Sequence, residues 1–98
     1  MREKEIEAKL IQATAKCDGW AVKLTSPSAA GLPDRLLLLP HGVAVFVEVK
    51  APGQKPRPLQ SAIHHRLRNL GFPVFVLDDP AQISCILEEV KRYGIHSS

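Results

Sequence analysis

Apolar residues at Ile6, Leu10, Ala13 and Cys17 recur at helical spacing, with Ala8 and Ile11 widening the stripe, so the chain from Glu3 to about Cys17 reads as an amphipathic helix. Gly19 stops it, and Trp20-Ala21-Val22-Lys23-Leu24 then alternates as a half-buried strand does. Small residues from Thr25 to Gly31 make a loop, Arg35 to Leu39 a short apolar strand, and Pro40-His41-Gly42 a tight turn. Val43 to Val49 holds four valines and neither Gly nor Pro, which suits a central strand buried on both faces. Three prolines and a glycine stiffen the connection from Ala51 to Pro58. Pro58 then opens a helix that Gly71 closes, with Leu59, Ile63, Leu67 and Leu70 as its buried stripe. Val74 to Leu77 is a fourth short strand. Asp78 or Asp79 caps a last helix with Ile83, Ile86, Leu87 and Val90 facing inward, Gly94 ending it, and a frayed tail from Ile95 to Ser98.

The order α-β-β-β-α-β-α joins strands two and three by a hairpin and strands three and four through a helix. Such a crossover is right-handed and makes the last pair parallel if the two share a sheet. The expected architecture is therefore α/β: one domain over residues 1–98, a small mixed sheet flanked by helices, with an extra helix at the C-terminal end.

Composition narrows the class. With 45% hydrophobic and 23% charged residues the chain is built to fold rather than to stay disordered. Its longest apolar runs, Leu36–Leu39 and Val43–Val47, fall far short of the roughly 20 residues that span a bilayer. The charged start MREKEIEAKL lacks the apolar core of a signal peptide, and Cys17 and Cys85 alone make neither a disulfide framework nor a zinc knuckle. A reduced, cytoplasmic setting without a membrane is the expectation. The net charge of +3 is unevenly spread: residues 49–77 carry Lys50, Lys55, Arg57, Arg66 and Arg68 and no carboxylate, leaving eight bases against ten acids elsewhere. One basic face, and hence a polyanionic partner, follows.

Three acids stand out. In Glu48-Val49-Lys50 the carboxylate and ammonium project from one face of the central strand, either as a structural salt bridge at a strand end or as a working pair. Asp34 closes Gly31-Leu32-Pro33-Asp34, by itself an ordinary turn. Counting from the hairpin, Asp34 lies six residues before Pro40 and Glu48 six after Gly42, so the two carboxylates come side by side across the strands. Such a pair repels unless a cation lies between, and hard divalent ions favour oxygen donors. Glu7 borders the apolar face of the first helix, either aimed at the same pocket or paired on the surface with Lys4 or Lys9. Gln60 and His64 lie one turn apart near the start of the second long helix, beside the pair if that helix packs behind the central strand, or simply at the surface. The His64-His65 neighbours diverge too far to share a metal, and His64 reads as a phosphate-side or surface residue.

Taken in order, Gly31-Leu32-Pro33-Asp34, Val47-Glu48-Val49-Lys50 and Gln60 resemble the PD-(D/E)xK nuclease signature. With Glu7 on the first helix, the spacing is most similar to the virus-type replication-repair nuclease domain, VRR-NUC, over Glu3 to Leu77. The resemblance implies a restriction-endonuclease-like αβββαβ core and metal-dependent hydrolysis of DNA phosphodiester bonds, on branched substrates such as four-way junctions or flaps. It further implies that Asp34, Glu48 and the Val49 carbonyl ligate Mg2+ or Mn2+, with Glu7 completing the site directly or through water. Lys50 would activate the attacking water, and Gln60 would support the site. Lys55, Arg57, His64 and Arg68 would meet the nucleic acid, the basic linker gripping phosphates without reading sequence. A homodimer, and a helicase or other replication-repair partner, belong to the same expectation. The family often places Ser or Thr before the second long helix, where this chain has Arg57-Pro58. Two rivals remain open: a nucleic-acid-binding subunit that keeps the fold without cleaving, and a protein-interaction domain whose carboxylates only form salt bridges.

Overall fold

The valine-rich run forms the strand on which the other elements are laid. In the computed structural model, which describes residues 1–25 and 30–96, the chain runs α1 (Glu3–Lys16), β1 (Trp20–Lys23), β2 (Arg35–Leu39), a single 3-10 turn (Pro40–Gly42), β3 (Val43–Val49), α2 (Pro58–Asn69), β4 (Val74–Leu77) and α3 (Gln82–His96). The strands form one sheet in the order β1-β2-β3-β4, antiparallel at the first two junctions and parallel between β3 and β4. The mixed α/β sheet with an added C-terminal helix is thus present. The loop expected from Thr25 to Gly31 lies in part, over 26–29, outside the described residues, as do the last two positions of the tail.

Register in the β2–β3 hairpin follows from its turn. His41 and Gly42 both take left-handed backbone conformations (φ 69° and 73°), which suits glycine at the second position and reverses the chain within three residues. Leu39 then opposes Val43, and pairing runs outward to Arg35 opposite Val47. One further step sets Asp34 against Glu48.

Strand alternation divides the sheet into two unlike faces. Ala21, Leu37, Val43, Val45, Val47, Val49 and Leu77 turn toward α1 and α3, joining Ile6, Leu10, Ile83, Ile86, Leu87 and Val90 in the hydrophobic core. The opposite face carries Phe46, Glu48 and Val74, and α2 covers only part of it. There Phe46 meets the Phe72 ring edge to face, centroids 5.9 Å apart. Farther along, Trp20 and Leu38 oppose one another with little cover, Trp20 being 67% exposed.

Several stripes differ from expectation. On α1, Ile11 is exposed and Thr14 is buried instead, its hydroxyl donating to the Leu10 carbonyl at 2.7 Å. On α2, Leu59 and Leu70 stand 54% and 67% exposed, Ile63 and Leu67 are half-buried, and the buried residue is His64. The helix is turned so that Gln60 and His64 face the sheet, which swings the neighbouring Leu59 outward by about 100°. Gly31 admits this packing: a Cβ there would lie 3.0 Å from Leu59 Cγ and 3.1 Å from Ile63 Cγ1. The expected α3 face is fully inward, but the helix continues past Gly94 to His96. Glycine at that position weakens a helix without ending it. Asp79 contributes the turn before α3, its Oδ1 accepting from the Ala81 N–H at 2.9 Å.

Gly19, between α1 and β1, marks a close approach. An added Cβ would stand 2.6 Å from Leu39 Cδ2 and 2.9 Å from the Leu38 carbonyl oxygen. Gly19→Ala should therefore destabilise the fold by about 1–3 kcal/mol, the usual range for overpacking, measured by urea unfolding. An unchanged midpoint would show that the α1–β1 corner relaxes freely.

Candidate active site

Asp34 is delivered to the sheet by its neighbours. Pro33 is fully buried and restricts the backbone, and the Asp34 carbonyl accepts from the Leu24 N–H at 2.9 Å, tying the residue to the end of β1. Its carboxylate crosses to β3, where Oδ2 accepts from the Val49 N–H at 2.9 Å. Glu48 lies directly across, 1% exposed. A carboxyl group placed there must find partners within the protein. Two come from α2. Gln60 Nε2 donates to Glu48 Oε2 at 3.3 Å, and His64 Nε2 lies 3.2 Å from Oε1. The Gln60 amide has a defined orientation because its Oε1 accepts from the Arg57 N–H at 2.8 Å, capping the start of α2.

Electrostatics follow from this crowding. Burial, a hydrogen bond shared with Asp34 and the Asp34 charge together push the Glu48 pKa up from the usual 4.5 to about 8, against the opposing pull of Lys50. The His64 pKa is lowered, first by burial and then by the positive charges of Arg68 and Lys50, with Asp34 opposing. Both shifts favour the uncharged forms, which gives the 3.2 Å contact of His64 with Glu48 the character of a hydrogen bond more than of an ion pair. Among the described residues every buried side-chain nitrogen and oxygen has a partner.

Asp34, Glu48, Lys50 and Gln60 therefore come together, Lys50 two residues beyond Glu48 and on the same side of the strand. Lys55 and Arg57 are exposed on the connection leading into α2. The Arg68 guanidinium donates to the Val74 carbonyl at 2.8 Å and so holds the end of α2 to β4. His64 requires a correction: expected toward phosphate or at the surface, it is 2% exposed beneath α2, because the buried Glu48 draws the polar stripe of the helix inward.

Glu7 is not brought to the pair. Its Oε2 accepts from Arg35 Nε at 2.9 Å, and Arg35 also donates from Nη1 to the Ala21 carbonyl at 3.1 Å. Adjacent residues of an extended strand project to opposite faces, so Asp34 turns toward α2 while Arg35 turns toward α1 and engages Glu7 there. Of the α1 acids it is Glu3 whose negative charge reaches Glu48 and adds to its raised pKa. Glu3 went unmarked in the sequence, although it lies one helical turn before Glu7 on the same face. Among the described residues no group of three or more His, Cys, Asp and Glu side chains is arranged to hold a metal ion. The cluster is a two-carboxylate one.

Comparison with known proteins bears on this arrangement. The chain is 48% identical over 90 residues to the protein named "Putative nuclease p44" of Acyrthosiphon pisum secondary endosymbiont phage 1, spanning 92% of this chain and 96% of that protein. A solved structure described as "VRR_NUC domain" is 34% identical and superposes with a TM-score of 0.83, covering 88% of this chain and 94% of its own. No family profile matches the chain.

The raised Glu48 pKa has a consequence for stability. In the unfolded chain the carboxyl ionises near its usual 4.5, whereas in the fold it keeps its proton up to about 8. Between those values the folded state binds the extra proton, so stability falls as pH rises and levels off above the folded pKa. With chelator present, the unfolding midpoint of the wild type should drop across that window relative to Glu48→Gln. Parallel pH profiles for the two proteins would remove the shift.

Proposed function

This chain belongs to the VRR-NUC family of nuclease domains, and on that premise we propose that it is a metal-dependent deoxyribonuclease that cleaves phosphodiester bonds in branched DNA. The observation that carries the reading is the opposition of Asp34 and Glu48 at the open end of the β2–β3 hairpin, with Lys50 beside them. Two carboxyl groups side by side form an all-oxygen donor set suited to a hard cation. Mg2+ is commonly bound through only one or two carboxylates, with water and substrate phosphate completing its shell, so a third acid is not required. Asp34 and Glu48, with the Val49 carbonyl as a further oxygen, would hold Mg2+ or Mn2+. Such an ion, when bound, makes water a nucleophile at neutral pH and stabilises charge developing on phosphorus.

The chain's own residues have separate tasks. Lys50 orients the attacking water at its ammonium and offsets negative charge on the scissile phosphate. Gln60 holds one oxygen of Glu48 while capping α2, so the start of the helix and the carboxylate move together. Lys55 and Arg57 on the exposed linker contact backbone phosphates near the site, supplying affinity without sequence preference. A homodimer fits the exposed apolar side chains of Leu59, Leu70 and Phe72, which a second copy would cover. Among the described residues no helix is long and apolar enough to cross a membrane.

The test is cleavage of duplex, flap, splayed and four-way DNA with Mg2+ or Mn2+. Wild type should cut at least one branched form, while Asp34→Ala and Lys50→Ala should each lose at least about 100-fold in rate and still bind the same DNA within a few-fold. Binding without cleavage by the wild type on every substrate would favour the non-catalytic subunit instead. Calorimetry of Mn2+ with wild type and Asp34→Asn checks the ion site apart from turnover.

A further inference from the structure

We infer that His64 is a positioning residue for Glu48, its ring holding one carboxyl oxygen while Gln60 holds the other, so that α2 presents the carboxylate in a single orientation to the ion. This rests on the metal-site reading above. The terminal torsion of a glutamate is soft, and a carboxyl group with one partner turns easily about it. Here both oxygens are engaged, Oε1 by His64 Nε2 at 3.2 Å and Oε2 by Gln60 Nε2 at 3.3 Å. The two partners stand four residues apart, one turn of the same helix, so both reach the one carboxyl group.

Burial gives the contact its weight. His64 is 2% exposed and Glu48 1%, so water does not compete for either group. Neither partner is loose: Gln60 is fastened through its carbonyl oxygen to the Arg57 N–H, and α2 is fastened at its far end by Arg68 to the Val74 carbonyl. The rest of the helix is thinly packed, with Leu59 and Leu70 largely in solvent. The inward Gln60–His64 stripe is thus the contact that sets the rotation of α2 over β3. Partners that orient a metal ligand typically change metal affinity about 10- to 100-fold when removed.

Mn2+ alone, titrated calorimetrically without nucleic acid, provides the first readout. His64→Leu, which fills the space but offers no hydrogen bond, should weaken Mn2+ binding about 10-fold or more. His64→Gln, whose amide can reach Oε1, should restore it to within about 3-fold. Ile63→Ala, a packing change on the same helix turn, should lower the melting temperature yet leave Mn2+ affinity near wild type. Equal Mn2+ affinity in His64→Leu and wild type, or an equal loss in Ile63→Ala, would overturn the inference. If His64→Leu does not fold, His64→Asn, whose shorter amide stops short of Oε1, takes its place. If the wild type binds no Mn2+, the metal-site reading fails, and the positioning role is judged on the carbon-13 signal of the Glu48 carboxyl in metal-free protein. That signal should move in His64→Leu and return in His64→Gln; an unmoved signal would overturn it.

Discussion

A carboxyl group buried near the end of a valine-rich strand is the constraint on which the rest of this structure depends. Glu48 sits where the fold otherwise wants a hydrocarbon, next to Val47 and Val49, both buried. Placing an ionised carboxylate there is costly, so the group either keeps its proton or is surrounded by partners. Both occur. Its pKa rises to about 8, and Asp34 meets it from β2 while Gln60 and His64 meet it from α2. Each partner in turn is tied to something larger: Asp34 clasps the open end of the hairpin through the Val49 N–H, Gln60 caps the start of α2, and His64 turns that helix toward the sheet.

How much of this was legible beforehand depends on which physical signal each feature leaves in the chain. The hairpin register could be counted, since a short turn and two strands without interruption leave one pairing; Asp34 does oppose Glu48. The inner stripe of α3 was equally clear, because Ile83, Ile86, Leu87 and Val90 are apolar and all four are buried. The rotation of α2 was not. Periodicity shows that Leu59 and Ile63 share one face and Gln60 and His64 another, but not which face meets the sheet, and the apolar one is the natural choice. A buried carboxyl group overrules it. Glu7 was open for a related reason: its partner in the structure, Arg35, lies next to Asp34 in sequence and on the other face in space. Gly94 reads as a stop, yet α3 runs through it to His96.

The two faces of the sheet now have distinct tasks. One is sealed by α1 and α3 and holds the hydrophobic core, with the Glu7–Arg35 ion pair at its rim. The other is half open, with α2 resting on a polar stripe and three of its apolar neighbours left to solvent. The hydrophobic core is therefore concentrated on one side and the candidate site on the other, and single strands serve both through alternation. In β3, Val47 and Val49 face the core while Glu48, between them, faces the site. At the entry to β2, Asp34 and Arg35 divide in the same way.

Charge placement reinforces this division. The stretch without carboxylates begins immediately after Glu48 and covers Lys50, the linker and the whole of α2, so the positive groups crowd the half-open face while the acids Glu3, Glu5, Glu88 and Glu89 belong to α1 and α3. A site made of two carboxylates would by itself repel a polyanion. Lys50, Lys55 and Arg57, with Arg66 and Arg68 farther along α2, offset that charge in the field a phosphate backbone would meet on approach, at ranges up to a Debye length, ~10 Å at about 0.1 M salt. Within that basic frame burial and the Asp34 charge hold the Glu48 pKa near 8, against the pull of Lys50. The modest net charge of +3 thus belongs to the α2 face: five bases stand there against Asp34 and Glu48, while eight bases balance eight acids over the rest of the chain.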